Sequence, residues 1–153
     1  MIRKFSYLFV IFGLLGFLTL IPGVMDGAIY YYFRATNGDT IDINNQCFSV
    51  PEKWVIDSVE DRNGRTIYNL RKKEGEQYIF ASVFYGDGSS IPGIQNLVPV
   101  KRNGDLFSIY ELSVLPAGNT VRYWSFVSSQ SLIIIGRRLS VLESLSLAIR
   151  PSD

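Results

Sequence analysis

Gln77-Tyr78-Ile79-Phe80-Ala81-Ser82-Val83-Phe84-Tyr85 is the stretch that decides the fold. Side chains of a strand alternate between its two faces, so Ile79, Ala81, Val83 and Tyr85 point one way and Tyr78, Phe80 and Phe84 the other. Both faces are apolar, and a sheet built from such strands needs cover on both sides. The run Val121 to Ser128 repeats the pattern, with Trp124 and Phe126 opposing Val121, Tyr123 and Val127.

Outward from this stretch, Asn37-Gly38, Asn63-Gly64 and Asn103-Gly104 are dipeptides that readily adopt positive φ and mark tight turns. Between them lie short runs rich in Val, Ile, Tyr and Phe. They predict strands near Thr40 to Ile43, Cys47 to Val50, Trp54 to Val59, Thr66 to Arg71, Gln77 to Tyr85, Leu106 to Leu115, Val121 to Ser128 and Ser131 to Gly136. Most connections are of hairpin length, so the sheet is expected to be mainly antiparallel. Leu139, Leu142, Leu145 and Ile149 recur at helical spacing and predict one C-terminal helix, closed by Pro151, that covers one face. About 12 helical residues reach only ~18 Å. The second face is left to the long Gly/Ser/Pro-containing stretch Gly86 to Lys101, to a partner, or to a membrane surface.

Phe5 to Ile21 carries no charge, and its apolar character continues through Pro22, Gly23, Val24 and Met25 to Asp26. Some 20 residues at ~1.5 Å each match the ~30 Å hydrocarbon core, so Phe5 to Met25 is expected to be a transmembrane signal anchor. Arg3 and Lys4 precede the run, and the positive-inside bias places the N-terminus in the cytoplasm. Tyr30, Tyr31, Tyr32 and Phe33 then form an outer interfacial belt. A cleaved signal peptide is the competing reading, but Asp26 and Ile21 stand where its cleavage sites need small residues. Gly13 and Gly16 lack the four-residue spacing of the common helix-dimer motif. The expectation is an α+β chain in which residues 1–33 anchor and residues 34–153 form one exported, strand-rich binding domain. Its localisation is then single-pass in the inner (plasma) membrane, with the C-terminal domain periplasmic or extracellular.

Cys47-Phe48-Ser49-Val50-Pro51-Glu52-Lys53-Trp54 resembles the strand, Val-Pro-x-x-Trp, strand opening of PsbP-like and DcrB-like α+β domains. Leu132 to Gly136 followed by Leu142-Glu143-Ser144-Leu145 is similar to their ending. The resemblance covers about a quarter of the chain and implies a twisted antiparallel sheet with helical cover, used in that superfamily mostly for binding. Gly86 to Lys101 departs from it, being a poor helix former where a fuller helix is expected.

The chain has no histidine, which removes the usual general base of Ser and Cys hydrolases and the commonest zinc ligand. Cys47 is the single cysteine, so an intramolecular disulfide is excluded, and Asn44, Asn45 and Gln46 before it rule out a lipid-attachment signal. The acidic pairs Asp39/Asp42, Glu60/Asp61 and Glu74/Glu76 sit near turns, where charge serves solubility. Ser49 and Lys53 are four positions apart in extended chain, about 13 Å, too far for a dyad. Gly86-Asp87-Gly88 is too short for a phosphate loop, and Asp87 lacks the further oxygens of a calcium site. No catalytic set, metal or cofactor is expected.

Of 15 basic and 14 acidic residues, only Arg3, Lys4 and Asp26 precede residue 34, leaving 13 of each sign in the domain. Such neutrality excludes a phosphate-driven nucleic-acid binder. Arg71, Lys72, Lys73 and Arg137, Arg138 read as solvated strand ends, the first group offset by Glu74 and Glu76. The functional expectation is therefore a non-catalytic binding domain for a protein partner, most concretely an immunity protein against a toxin. The alternative is a structural component of an envelope secretion or conjugation machine. Ser89, Ser90, Ile91, Ile94 and Gln95, in the long loop, are the expected partner-binding residues.

Overall fold

The structure, a computed structural model, describes residues 13, 16, 23–114 and 120–151. Helix α1 spans Val24–Asn37 and is followed by strands β1 (Thr40–Ile43), β2 (Gln46–Ser49), β3 (Trp54–Arg62), β4 (Arg65–Glu74) and β5 (Gln77–Tyr85). Two short 3-10 turns, Gly88–Ser90 and Ile94–Asn96, lead to β6 (Lys101–Asn103), β7 (Phe107–Val114), β8 (Thr120–Val127) and β9 (Leu132–Gly136). Helix α2 (Leu139–Ala148) and the two-residue β10 (Arg150–Pro151) complete the order. Seven strands form one sheet in the order β3-β4-β5-β9-β8-β7-β6, and β1-β2-β10 form a second, with every pairing antiparallel.

Local chemistry accounts for the turns. Asn63 and Gly64 take φ of 53° and 73°, the two positive values of a type I′ hairpin, and join β3 to β4. Asn37-Gly38, expected as another hairpin, instead ends α1: Gly38 at φ 77° donates its N–H to the Arg34 carbonyl at 3.0 Å.

The registers sort the side chains of the large sheet into two faces. On the first, Leu70, Ala81, Val83, Ile109, Leu132 and Ile134 are buried. They pack under α2, through Val141, Leu142 and Leu145, and under the small sheet, through Ile41, Ile43 and Phe48. The Tyr68 hydroxyl ties the two sheets, donating to the Asp42 carbonyl at 2.9 Å and accepting from its N–H at 3.3 Å. Burial raises the Tyr68 phenol above its ordinary value, with the bond to the Asp42 backbone opposing the shift.

The expected architecture needs correction at the N-terminus. Apart from Gly13 and Gly16, residues 1–22 lie outside the described residues, and with them most of the Phe5 to Met25 run. Among the described residues no helix is long and apolar enough to cross a membrane, against the expected transmembrane signal anchor and single-pass envelope localisation. From Val24 onward the chain is a 14-residue helix that packs on β3 and engages the sheet through charged groups. Asp26 pairs with Lys73, and Asn37 donates to the Ile56 carbonyl at 2.7 Å. Tyr30 to Phe33, expected as a belt among lipid headgroups, belong to this helix, with the Phe33 ring 4.3 Å from the Arg71 guanidinium. In place of a transmembrane helix, one sheet and one covering helix, the described chain has two antiparallel sheets and two helices of 14 and 10 residues.

Candidate functional site

The second face of the large sheet carries the candidate site, because its cover is divided. At one corner lies the long loop. Asp87 caps its first 3-10 turn, accepting from the Ser89 hydroxyl at 2.6 Å and the Ser90 N–H at 3.2 Å. These bonds, that from Ser89 foremost, hold the Asp87 carboxyl below its ordinary range. A side chain at Gly86 would stand 2.8 Å from Ser90 Oγ and 2.9 Å from Ile133 Cγ1, so only glycine lets the loop fold back this closely. The turn delivers Ile91, 1% exposed, into a cluster with Phe84, Tyr110 and Ile133, against which Ile94, Trp124 and Phe126 pack.

The five residues expected to bind a partner are thus divided by the fold. Ile91 is buried, Ile94 and Ser90 are half-buried, and only Ser89 and Gln95 are exposed. The two apolar members, Ile91 and Ile94, hold the loop to the sheet.

Helix α1 covers the opposite corner. A cleft of about 630 Å³ lies between it and β3, β4 and β5, lined among others by Asp26, Tyr30, Arg34, Lys53, Arg71 and Tyr78. The β-bulge at Asp57 brings that carboxylate to Arg71, Oδ1 lying 3.2 Å from Nη1. The Arg71 guanidinium lies between aromatic rings, 4.3 Å from the centroid of Phe33 and 5.0 Å from that of Tyr78. One turn of helix brings Arg34 back to Tyr30, donating to its hydroxyl at 2.9 Å, and Arg34 also lies 3.4 Å from Asp39. Arg34 Nε and Arg71 Nη2 are buried with no acceptor among the described residues. Asp26 binds both Lys73 and the Tyr78 hydroxyl, and the first bond is the main cause that raises the Lys73 ammonium above its ordinary value.

Between the two covers the sheet is open. Asn69 is fixed at the centre of the band: it donates to Ser58 at 3.0 Å and to Glu60 at 2.8 Å, and accepts from Ser82 at 2.8 Å. Beside it two shallow hollows of about 190 and 220 Å³ share Ser82, Arg122 and Ile135. Phe80 is 54% exposed at the second hollow, which Arg137 also lines. Neither Arg122 nor Arg137 has an acid within ion-pair distance among the described residues. No cluster of three potential metal ligands occurs among the described residues either.

Sequence reasoning missed both the cleft and the band. Arg71 and Lys73 read as solvated strand ends, yet strand alternation puts them on the same face as Tyr78 and Phe80, their partners in register. That signal was available. The position of α1 over them was not. Comparison with family models, curated proteins and solved structures finds no match to this chain.

Proposed function

We propose that this protein is a non-catalytic binding domain that takes a protein partner on the open band of its large sheet, between α1 and the 86–100 loop. One observation carries the reading: an exposed Phe80 beside Ile135, flanked by Arg122 and Arg137, which no acid neutralises among the described residues. Aromatic and arginine side chains around a central apolar anchor are the composition in which binding energy concentrates. The positive flanks select a partner segment that sets an apolar side chain among carboxylates. Neutralisation of a toxin protein is the concrete form of this reading. It agrees with the use in binding that the PsbP-like and DcrB-like resemblance implies.

The test places a photo-crosslinking amino acid at Phe80, at Ile135 and, as a control, at Val59, which is exposed near the β3 edge on the other face. Phe80 and Ile135 are expected to trap the same partner and Val59 none. Phe80→Asp and Arg122→Glu should abolish capture with unchanged melting, and a trapped toxin should regain its activity against cells expressing these variants. Capture at Val59 alone, or full capture by both folded variants, refutes the assignment.

A further inference from the structure

We propose that the cleft between α1 and the large sheet is a ligand site for a carboxylate borne on an apolar or aromatic body. Two guanidinium groups line it, Arg34 and Arg71, and one N–H of each, Arg34 Nε and Arg71 Nη2, is enclosed by protein without an acceptor among the described residues, so that it meets a ligand only where a neighbouring side chain shifts. A buried donor left unpaired is costly, and carboxylate is the acceptor that guanidinium geometry fits best in bidentate form. Both groups are already held in place. Asp57, Phe33 and Tyr78 orient Arg71, while Tyr30 and Asp39 orient Arg34, so both guanidinium groups are fixed before a ligand arrives.

The charge count disfavours a dianion. Arg34, Lys53, Arg71 and Lys73 line the cleft with Asp26 and Glu52, and Asp39 and Asp57 stand behind the two arginines. Positive and negative groups then balance, four against four, which disfavours a phosphate dianion and tolerates one carboxylate. The remaining lining, Ile29, Val55 and the rings of Tyr30, Tyr31 and Tyr78, offers apolar surface for the rest of the ligand. A volume of about 630 Å³ is that of a small-molecule cleft.

The carboxylate can come from a free small acid or from the C-terminus of another chain, and the experiment separates them. Full-length protein is titrated with 3-phenylpropionate, with its uncharged amide, with inorganic phosphate, and with a tripeptide ending in phenylalanine as acid and as amide. Binding is read by calorimetry and by the NMR signals of the arginine Nε–H groups. The acid is expected to shift the Arg34 Nε–H signal and to bind about tenfold or more tighter than its amide and than phosphate. Arg34→Lys, which keeps the charge but loses the fork, and Arg71→Gln should each lose about tenfold in affinity. A tripeptide acid tighter than 3-phenylpropionate identifies a chain terminus as the source, and the reverse order a free acid. Equal binding of acid and amide, tighter binding of phosphate, or no shift of Arg34 at about 10 mM acid overturns the proposal. The amide comparison in the wild-type protein holds even where Arg71→Gln fails to fold.

Discussion

Leu142 and Gly136 form a pair whose coupling measures how tightly α2 closes on the sheet. Leu142 is fully buried, and its Cδ1 occupies the space that a side chain at Gly136 would need, well inside contact distance. Leu142→Ala removes three carbons, about 2.4 kcal/mol of transfer free energy at ~0.8 per carbon. The cavity left under a helix pinned by Val141 and Leu145 should take the cost to about 3–5 kcal/mol. Gly136→Ala alone forces Leu142 aside, an overpacking cost of about 1–3 kcal/mol. In the double variant the new methyl enters the space that the leucine vacated. The two changes should therefore cost about 1–2 kcal/mol less together than their sum. Urea denaturation of the four proteins closes the cycle. Additivity within about 0.5 kcal/mol would show that the leucine does not lie over the glycine, and that α2 meets β9 differently.

Three further outcomes are expected. Ile91→Asp buries a charge without a partner and should lower the melting temperature sharply, while Gln95→Ala, on the exposed side of the same loop, should stay within about 0.5 kcal/mol of wild type; equal melting of the two variants would remove Ile91 from the core. Because the Asp87 carboxyl is held below its ordinary value, its contribution to the loop is complete above the ordinary carboxylate pKa near ~4 and is lost as pH falls through the lowered folded value. Exchange of the Ser90 amide should rise over that acid window in wild type and show no such step in Asp87→Asn; a step retained in the variant would point to another group. Ser125→Ala should cost about 1–3 kcal/mol by orphaning the buried Ser146 hydroxyl, 2.7 Å away, and adding Ser146→Ala should restore most of the loss in chemical denaturation; a further loss in the double variant would deny the pairing.

Strand identity was legible in the chain because it depends on residue type and period over a few neighbours. Gln77–Tyr85 is a strand over its whole expected length, and the expected Leu139, Leu142, Leu145, Ile149 face lies on the core, with Leu142, Leu145 and Ile149 buried. The demand for cover on the second face was legible for the same reason: alternation made Phe84, Trp124 and Phe126 apolar opposite an apolar first face. What answers that demand was not. The loop supplies Ile91 because the Asp87 cap and the close approach at Gly86 fold it back, and the helix supplies Phe33 because Asp26 and Asn37 dock on β4 and β3. An aromatic run after an apolar stretch has the same local pattern at a membrane surface as on a sheet. Only the long-range pairs, Asp26 with Lys73 and Phe33 with Arg71, separate the two cases. The sequence by itself determined β1 to β5, β7 to β9, their alternation and the C-terminal helix, since these follow from neighbouring residues, but not the short β6 and β10, which exist only by pairing with β7 and β2. The tertiary structure decided the site, because the cleft and the open band exist only where segments some forty residues apart along the chain meet on one face of the sheet.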